Sequence, residues 1–205
     1  MILNDVDLSK RRFLIAEIGN NHEGDASLAK ELVSAAAEAG ADAVKVQTIN
    51  PERLVNVSQT ERIAQLSRFR LPLSTFAEMA EIARSKGAHF MASAFDLDSL
   101  NEIFDLISVV KIASSDLDFL PLLASAARKG KPMVVSTGMG TLSEVKAAVD
   151  TIQQNLPSGR TLEESLILLH CITSYPTPIE QANLTAMDTM RDAFSPVTVG
   201  YSDHT

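Results

Sequence analysis

Several short apolar runs of this 205-residue chain end in side chains that bind anions or move protons. Val109-Val110-Lys111-Ile112 runs into Ala113-Ser114-Ser115-Asp116. Val44-Lys45-Val46 ends in Gln47 and Thr48, and Met133-Val134-Val135 ends in Ser136, Thr137 and Gly138. Leu166–His170 leads to Thr173-Ser174-Tyr175, and Val197–Gly200 to Tyr201-Ser202-Asp203-His204. A cation beside serine hydroxyls and free backbone N–H groups suits a phosphate or a carboxylate. Lys45 and Lys111 have three readings. They form an anion clamp, one of them is a Schiff-base nucleophile, or they are buried and paired with Glu17 or Asp116. The presence of two such lysines favours the clamp. Ser136-Thr137-Gly138-Met139-Gly140 precedes a capped helix, where glycines let backbone N–H groups approach a phosphate. It is not a Walker loop, because no Gly-Lys-Ser/Thr follows.

Glu17 lies near the carboxyl end of the apolar run 13–18. A carboxylate there is costly unless it is paired or has chemical work. It reads as a substrate hydrogen-bonder or general acid/base, or as the structural partner of a neighbouring lysine. Among the histidines, His89 and His170 read as structural, and His22 sits in a polar loop. His204 is the metal-ligand candidate, although one histidine makes no metal site. Cys171, beside an apolar run, reads as core rather than nucleophile.

The elements that must position these residues alternate in type. Residues 13–18 read as a first strand, followed by the turn-rich 19–25. A helix is expected over 26–39 with Leu28, Leu32, Ala35, Ala36 and Ala39 on its apolar face, and Gly40 ends it. Strands are expected over 43–47, 88–92, 109–112, 166–170 and 197–200, with a further one opened by Pro132 and running through Met133-Val134-Val135. Between the second and third strands, 48–73 is long for a loop, with helical content near Glu61–Phe69 and a stop at Pro72. Thr75–Glu78 reads as a capping box for a helix whose face is Phe76, Met79, Ala80 and Ala83. Leu97, Leu100, Phe104 and Ile107 form another stripe, and a helix is expected over 119–128. Thr141–Glu144 reads as a second capping box, with Leu142, Val145, Val149 and Ile152 behind it. Residues 155–164 read as a polar loop, and Leu184, Met187 and Met190 mark a last helix. Strand–helix alternation implies parallel strands joined by right-handed crossovers. Polar residues at nearly every strand end favour a (β/α)8 barrel over an open doubly wound sheet, and no G-x-G-x-x-G follows the first strand.

Length makes one domain the simplest expectation. A hydrophobic content of 45% suits a globular core,. A net charge of −8 with a pI near 5.0 argues against a nucleic-acid partner,. The single cysteine fits a reducing compartment,. The early residues do not read as a signal peptide, and no apolar run approaches the ~18 residues of a membrane span. A cytoplasmic protein with no membrane partner is the expectation.

Together these stretches resemble the N-acetylneuraminate (sialic acid) synthase family. The matching segments are Ala16–Gly24, Ala39–Thr48, Lys111–Ser114, Ser136–Met139, His170-Cys171 with Tyr175–Pro178, and Gly200–Thr205, in family order along nearly the whole chain. The resemblance implies a barrel enzyme that condenses phosphoenolpyruvate with an N-acetylated amino sugar such as N-acetylmannosamine. It also implies a divalent cation, Mn2+ or Mg2+, and a homodimeric full-length enzyme. Carried over by residue, Lys45, Ser93, Lys111, Ser114, Ser136 and Ser202 hold phosphoenolpyruvate. Glu17, Gln47, Asp116, Tyr175 and Asp203 face the sugar and the reacting centre, with Glu17, Asp116 and Asp203 as the catalytic carboxylates. His204 is a metal ligand. Asp116 stands where the family usually has Glu, Ala94 where it has Pro, and Thr173, a further substrate contact, where Asn is common. A Schiff-base lysine aldolase and a non-catalytic anion-binding barrel remnant are the alternative functions.

Seven strands are counted, whereas a closed barrel has eight and typically ~250 residues. The expectation is therefore a barrel truncated after about strand seven. In that reading the family's eighth strand and its C-terminal antifreeze-like domain are absent, and the chain alone is inactive and prone to aggregate.

Overall fold

The computed structural model describes residues 1–205. Its seven main strands run parallel and follow one another in chain order, with no strand inserted out of sequence. A doubly wound sheet reverses its order at a switch point. Unreversed order is that of a (β/α)8 barrel through its seventh strand. Residues 1–12 add no strand to this set, since Ile2–Leu3 and Val6–Asp7 lie outside it. No helix is long and apolar enough to cross a membrane.

The chain divides into two compact units, Val6–Val110 and Lys111–Thr205 together with Met1–Asp5. In the first, β1 (Ile15–Gly19), β2 (Ala43–Gln47) and β3 (His89–Ser93) pair in parallel. Helix α1 (Ala26–Glu38) connects β1 to β2 and is capped by Asp25, whose carboxylate accepts from Ser27 and Leu28 N–H. Its buried face is Ala29, Val33 and Ala37, one position round from the expected one; Leu28 is exposed. Small residues there shorten the distance between helix axis and sheet, and the leucines flank the contact instead. The segment after β2 holds two short helices, Pro51–Leu54 and Thr60–Ser67. Helix α2 (Leu73–Ser85) then starts at Pro72, not at Thr75. The expected capping box is therefore absent: Thr75 is buried inside the first turn, and Glu78 pairs with Lys30 at 2.7 Å. The fixed φ of proline pre-sets the first turn and moves the start upstream. Phe76, Met79, Ala80 and Ala83 are buried as expected. Helix α3 (Leu97–Ile103) follows β3, with Asp96 as its cap. Ile107 is buried, but beyond the end of α3.

In the second unit, β4 (Val109–Ile112, which opens in the first) leads to α4 (Leu120–Arg128), β5 (Met133–Ser136) and α5 (Leu142–Asn155). The chain continues with β6 (Leu166–His170), α6 (Ala186–Phe194) and β7 (Thr198–Tyr201). β5, β6 and β7 pair in parallel. The Thr141–Glu144 capping box forms in both directions, and Val145, Ala148, Val149 and Ile152 are buried behind it. Leu142, expected in that face, is 49% exposed, because N1 of the helix projects past the layer it covers. A one-turn helix, Leu162–Ser165, interrupts the expected loop before β6. Leu184 lies outside α6 and is exposed. Strands β4, β5 and β6 are buried at every position, as expected for parallel strands covered on both faces,.

Candidate active site

Strand register builds the first cluster. Glu17 on β1 lies opposite Lys45 on β2, and Gln47 lies opposite Ser93 on β3. Lys45 is 3% exposed, and its Nζ sits 2.7 Å from Glu17 Oε2 and donates to Ser93 Oγ at 3.0 Å. Burial pulls the lysine below its usual range, and the Glu17 carboxylate works against that fall. Of the two readings of Glu17, the structure shows the lysine pairing, yet its side chain keeps 54% exposure. Gln47 Oε1 accepts from Asn20 Nδ2 at 2.5 Å.

The loop 19–25 that carries Asn20 is held by its own backbone. Gly19 and Gly24 take positive φ. A Cβ on Gly24 would lie 1.8 Å from the Arg68 carbonyl oxygen, so only glycine lets these two chain segments touch. His22, read from sequence as part of a polar loop, is fully buried. Its Nδ1 accepts from Gly24 N–H at 3.0 Å, and burial lowers its pKa.

The second unit repeats the design. Lys111 on β4 is 7% exposed and donates to Ser136 Oγ on β5 at 2.7 Å and to the Ile112 carbonyl at 2.9 Å. In both units a buried lysine is thus bonded to a serine at the carboxyl end of the following strand. Ser114 shares a hydrogen bond with the buried Cys171 thiol at 3.2 Å, and Gly138 N–H donates to the same sulfur at 3.3 Å. Cys171 therefore anchors two loop residues of this cluster, a role its place beside an apolar strand did not reveal. Gly138 is small because Cys171 Sγ, Ser114 Oγ and Thr173 Cγ2 would lie about 3 Å from any Cβ. A cavity of ≈ 410 Å³ opens beside this loop, lined among others by Thr137, Gly138, His170, Asn183 and Met190.

Asp116 closes the short turn Ser114–Asp116 after β4 and is 8% exposed. Burial raises its carboxyl to about 6; the hydrogen bond from Ser115 and the Lys111 charge pull the other way. The remaining expected residues gather on the loops after β6 and β7. His204 Nδ1–H donates to the Ile172 carbonyl at 2.6 Å, which fixes the tautomer and leaves Nε2 as an acceptor,. Tyr175 stacks on the His204 ring at 4.2 Å between centroids, and its hydroxyl and that of Ser202 lie 3.4 and 3.3 Å from Nε2. Asp203 accepts from Thr205 N–H and from the Tyr201 hydroxyl, and those bonds hold its carboxylate below the usual range. Thr173, on the loop after β6, places its Cγ2 where any Cβ on Gly138 would meet it.

A divalent cation needs several such donors, about three or four for a zinc-like ion and more for Mg2+. His204 presents one correctly fixed nitrogen, but no group of three or more His, Cys, Asp or Glu side chains gathers anywhere in the chain. The donor set of these residues does not fit a metal.

Parallel strands in barrel order, with lysines, hydroxyls and carboxylates at their carboxyl ends, define the class: an α/β fold of the barrel type with polar clusters at its strand ends,. The chain belongs to the NeuB family, whose profile matches residues 32–205. An N,N'-diacetyllegionaminic acid synthase of Legionella pneumophila is 42% identical, over 94% of this chain and 57% of that protein. The human N-acetylneuraminate-9-phosphate synthase is 30% identical, over 94% and 55%. The chain thus spans rather more than half the length of the curated relatives it matches. A crystal structure of an N-acetylneuraminic acid synthetase from Leptospira borgpetersenii, in complex with citrate, superposes with a TM-score of 0.86 at 33% identity. It covers 94% of this chain and 65% of that one. A truncated 3-deoxy-D-arabino-heptulosonate 7-phosphate synthase from Thermotoga maritima shares the fold at 16% identity, with a TM-score of 0.66.

Proposed function

We propose that this chain forms the barrel portion of a nonulosonic acid synthase, which condenses phosphoenolpyruvate with an N-acetylated amino sugar and releases phosphate. The observation that carries the reading is the repeated buried lysine bonded to a strand-end serine, Lys45–Ser93 and Lys111–Ser136. Each lysine lies beside a serine hydroxyl at a strand end, a cation and donor pair that suits an anion,. Phosphoenolpyruvate carries two anionic groups, a carboxylate and a phosphate. Lys111, Ser136 and Ser114 suit one of them, with Ser202 as a further donor, and Lys45 with Ser93 presents a matching cation and hydroxyl. Charge-assisted bonds of this kind orient as well as bind.

In the reaction, the enol carbon attacks the aldehyde carbon of the open-chain sugar and the new C–C bond forms. Water adds to the resulting oxocarbenium-like carbon, and the C–O bond to phosphate then breaks. Asp116, at about 6, holds or releases a proton near neutral pH and suits the base that takes one from that water,. Glu17, Gln47, Tyr175 and Asp203 are assigned to the sugar. The relatives include synthases of legionaminic, N-acetylneuraminic 9-phosphate and pseudaminic acids, and the amino sugar is the specificity to be measured.

Calorimetry tests the reading. Lys111→Ala is expected to weaken phosphoenolpyruvate binding by roughly a hundredfold, a loss near 3 kcal/mol. Lys146→Ala, which removes only a surface pair with Asp150, leaves it unchanged. Equal affinity for Lys111→Ala and wild type refutes the assignment. Borohydride trapping of a lysine adduct with a keto acid would instead establish Schiff-base chemistry.

A further inference from the structure

Gln47 is half-buried, and its Oε1 is taken by Asn20 while its Nε2 has no partner within the chain. Asn20 is itself fixed, because Glu23 N–H bonds to its carbonyl and Gly24 locks the loop against Arg68. The remaining oxygen of the Asn20 side chain, Oδ1, is buried without a donor. Turning both amides over would keep their mutual bond but bury the Asn20 amino group, with its unpaired N–H donors, instead. Buried unpaired N–H groups are rarer in proteins than under-satisfied carbonyl oxygens. The observed polarity is therefore the less costly of the two.

We infer that Asn20 is a positioning residue that sets the polarity of Gln47. It holds the glutamine carbonyl and so forces the free amino group outward as a hydrogen-bond donor. That position then reads an acceptor oxygen on the second substrate, such as a hydroxyl or an acyl carbonyl, and rejects a group that can only donate. A site built to satisfy one such bond discriminates strongly against its absence. The inference rests on the synthase reading for the identity of that substrate, but not for the amide polarity itself.

Two variants of the full 205-residue chain reverse the presented group by different routes. In Asn20→Asp the carboxylate can only accept, so Gln47 turns its amino group inward and shows its oxygen. In Gln47→Glu the bond from Asn20 is kept, and an oxygen replaces the outward amino group. Side-chain amide NMR reads the polarity directly. In the wild type, Asn20 N–H protons exchange slowly with water and those of Gln47 rapidly; in Asn20→Asp the Gln47 protons slow by roughly tenfold or more. Titration with N-acetylmannosamine at saturating phosphoenolpyruvate reads the consequence. Both variants lose roughly tenfold or more in sugar affinity, while phosphoenolpyruvate affinity stays within about twofold of wild type. A merely structural role would lower both affinities together. Protected Gln47 protons and free Asn20 protons in the wild type overturn the inference, as does unchanged Gln47 exchange in Asn20→Asp. A wild type that shows the stated polarity but binds no amino sugar sinks the synthase reading and leaves the polarity standing.

Discussion

Gly138→Ala is a severe test of the Lys111 cluster, because it alters no charged or hydroxyl group. The new Cβ would lie 2.9 Å from Cys171 Sγ, 3.0 Å from Ser114 Oγ and 3.0 Å from Thr173 Cγ2. Ordinary contacts are about 3.5–4.0 Å, so each neighbour must retreat by roughly half an ångström or more. The sulfur cannot retreat freely, since it holds Ser114 at 3.2 Å and Gly138 N–H at 3.3 Å. Overpacking of this kind costs about 1–3 kcal/mol, and loss of one hydrogen bond adds about 1 kcal/mol. The expected destabilisation is about 2–4 kcal/mol, a fall of roughly 5–15 °C in Tm for a chain of this length. Urea denaturation measures the first figure and calorimetry the accompanying loss of phosphoenolpyruvate affinity, as Ser114 is pushed from its place. Adding Cys171→Ala removes the shortest contact. In a double-mutant cycle the pair should therefore be coupled by at least about 0.5 kcal/mol. A Gly138→Ala variant within about 0.5 kcal/mol of wild type, or a strictly additive cycle, refutes the close packing that ties Cys171 to the cluster.

The raised carboxyl of Asp116 makes stability depend on pH in a defined sense. Its native value is about 6 against an ordinary 3.8. The native state thus holds a proton between those values that the unfolded chain has released. The contribution is fully present below 3.8 and is lost as pH rises through about 6,. Asp116→Asn should therefore gain on wild type between pH 4 and 7 by about 1–2 kcal/mol, after allowance for solvent screening. Parallel pH–stability curves for the two proteins would contradict the burial of this carboxyl. Thr141→Ala removes the two-way cap of α5 and should cost about 1 kcal/mol in denaturant,. Because the capping box is exposed and separate from Lys111, phosphoenolpyruvate affinity should not change with it; a large loss of affinity would place the box in the site.

The strand–helix alternation and the identity of Lys45, Lys111 and Ser136 as strand-end residues were legible in the order of residues, while the first, third and seventh strands run one or two residues later than expected. Hydrophobic period and glycine placement are local properties, and local properties survive in a linear sequence. The Thr141 box was legible for the same reason, since its partners are three residues apart. The face of α1 was not. Hydrophobicity weighted the leucines, whereas the sheet selected Ala29, Val33 and Ala37 because small side chains allow closer approach. The start of α2 was misplaced because Thr75–Glu78 matched a motif that Pro72 pre-empted. What only tertiary structure decided is which residues meet. Lys45 finds Ser93 48 positions away, Lys111 finds Ser136 25 away, and Ser114 finds Cys171 57 away. Those distances are set by the lengths of the intervening helices and by strand register. A shift of one residue in register would turn each side chain to the opposite face of its strand.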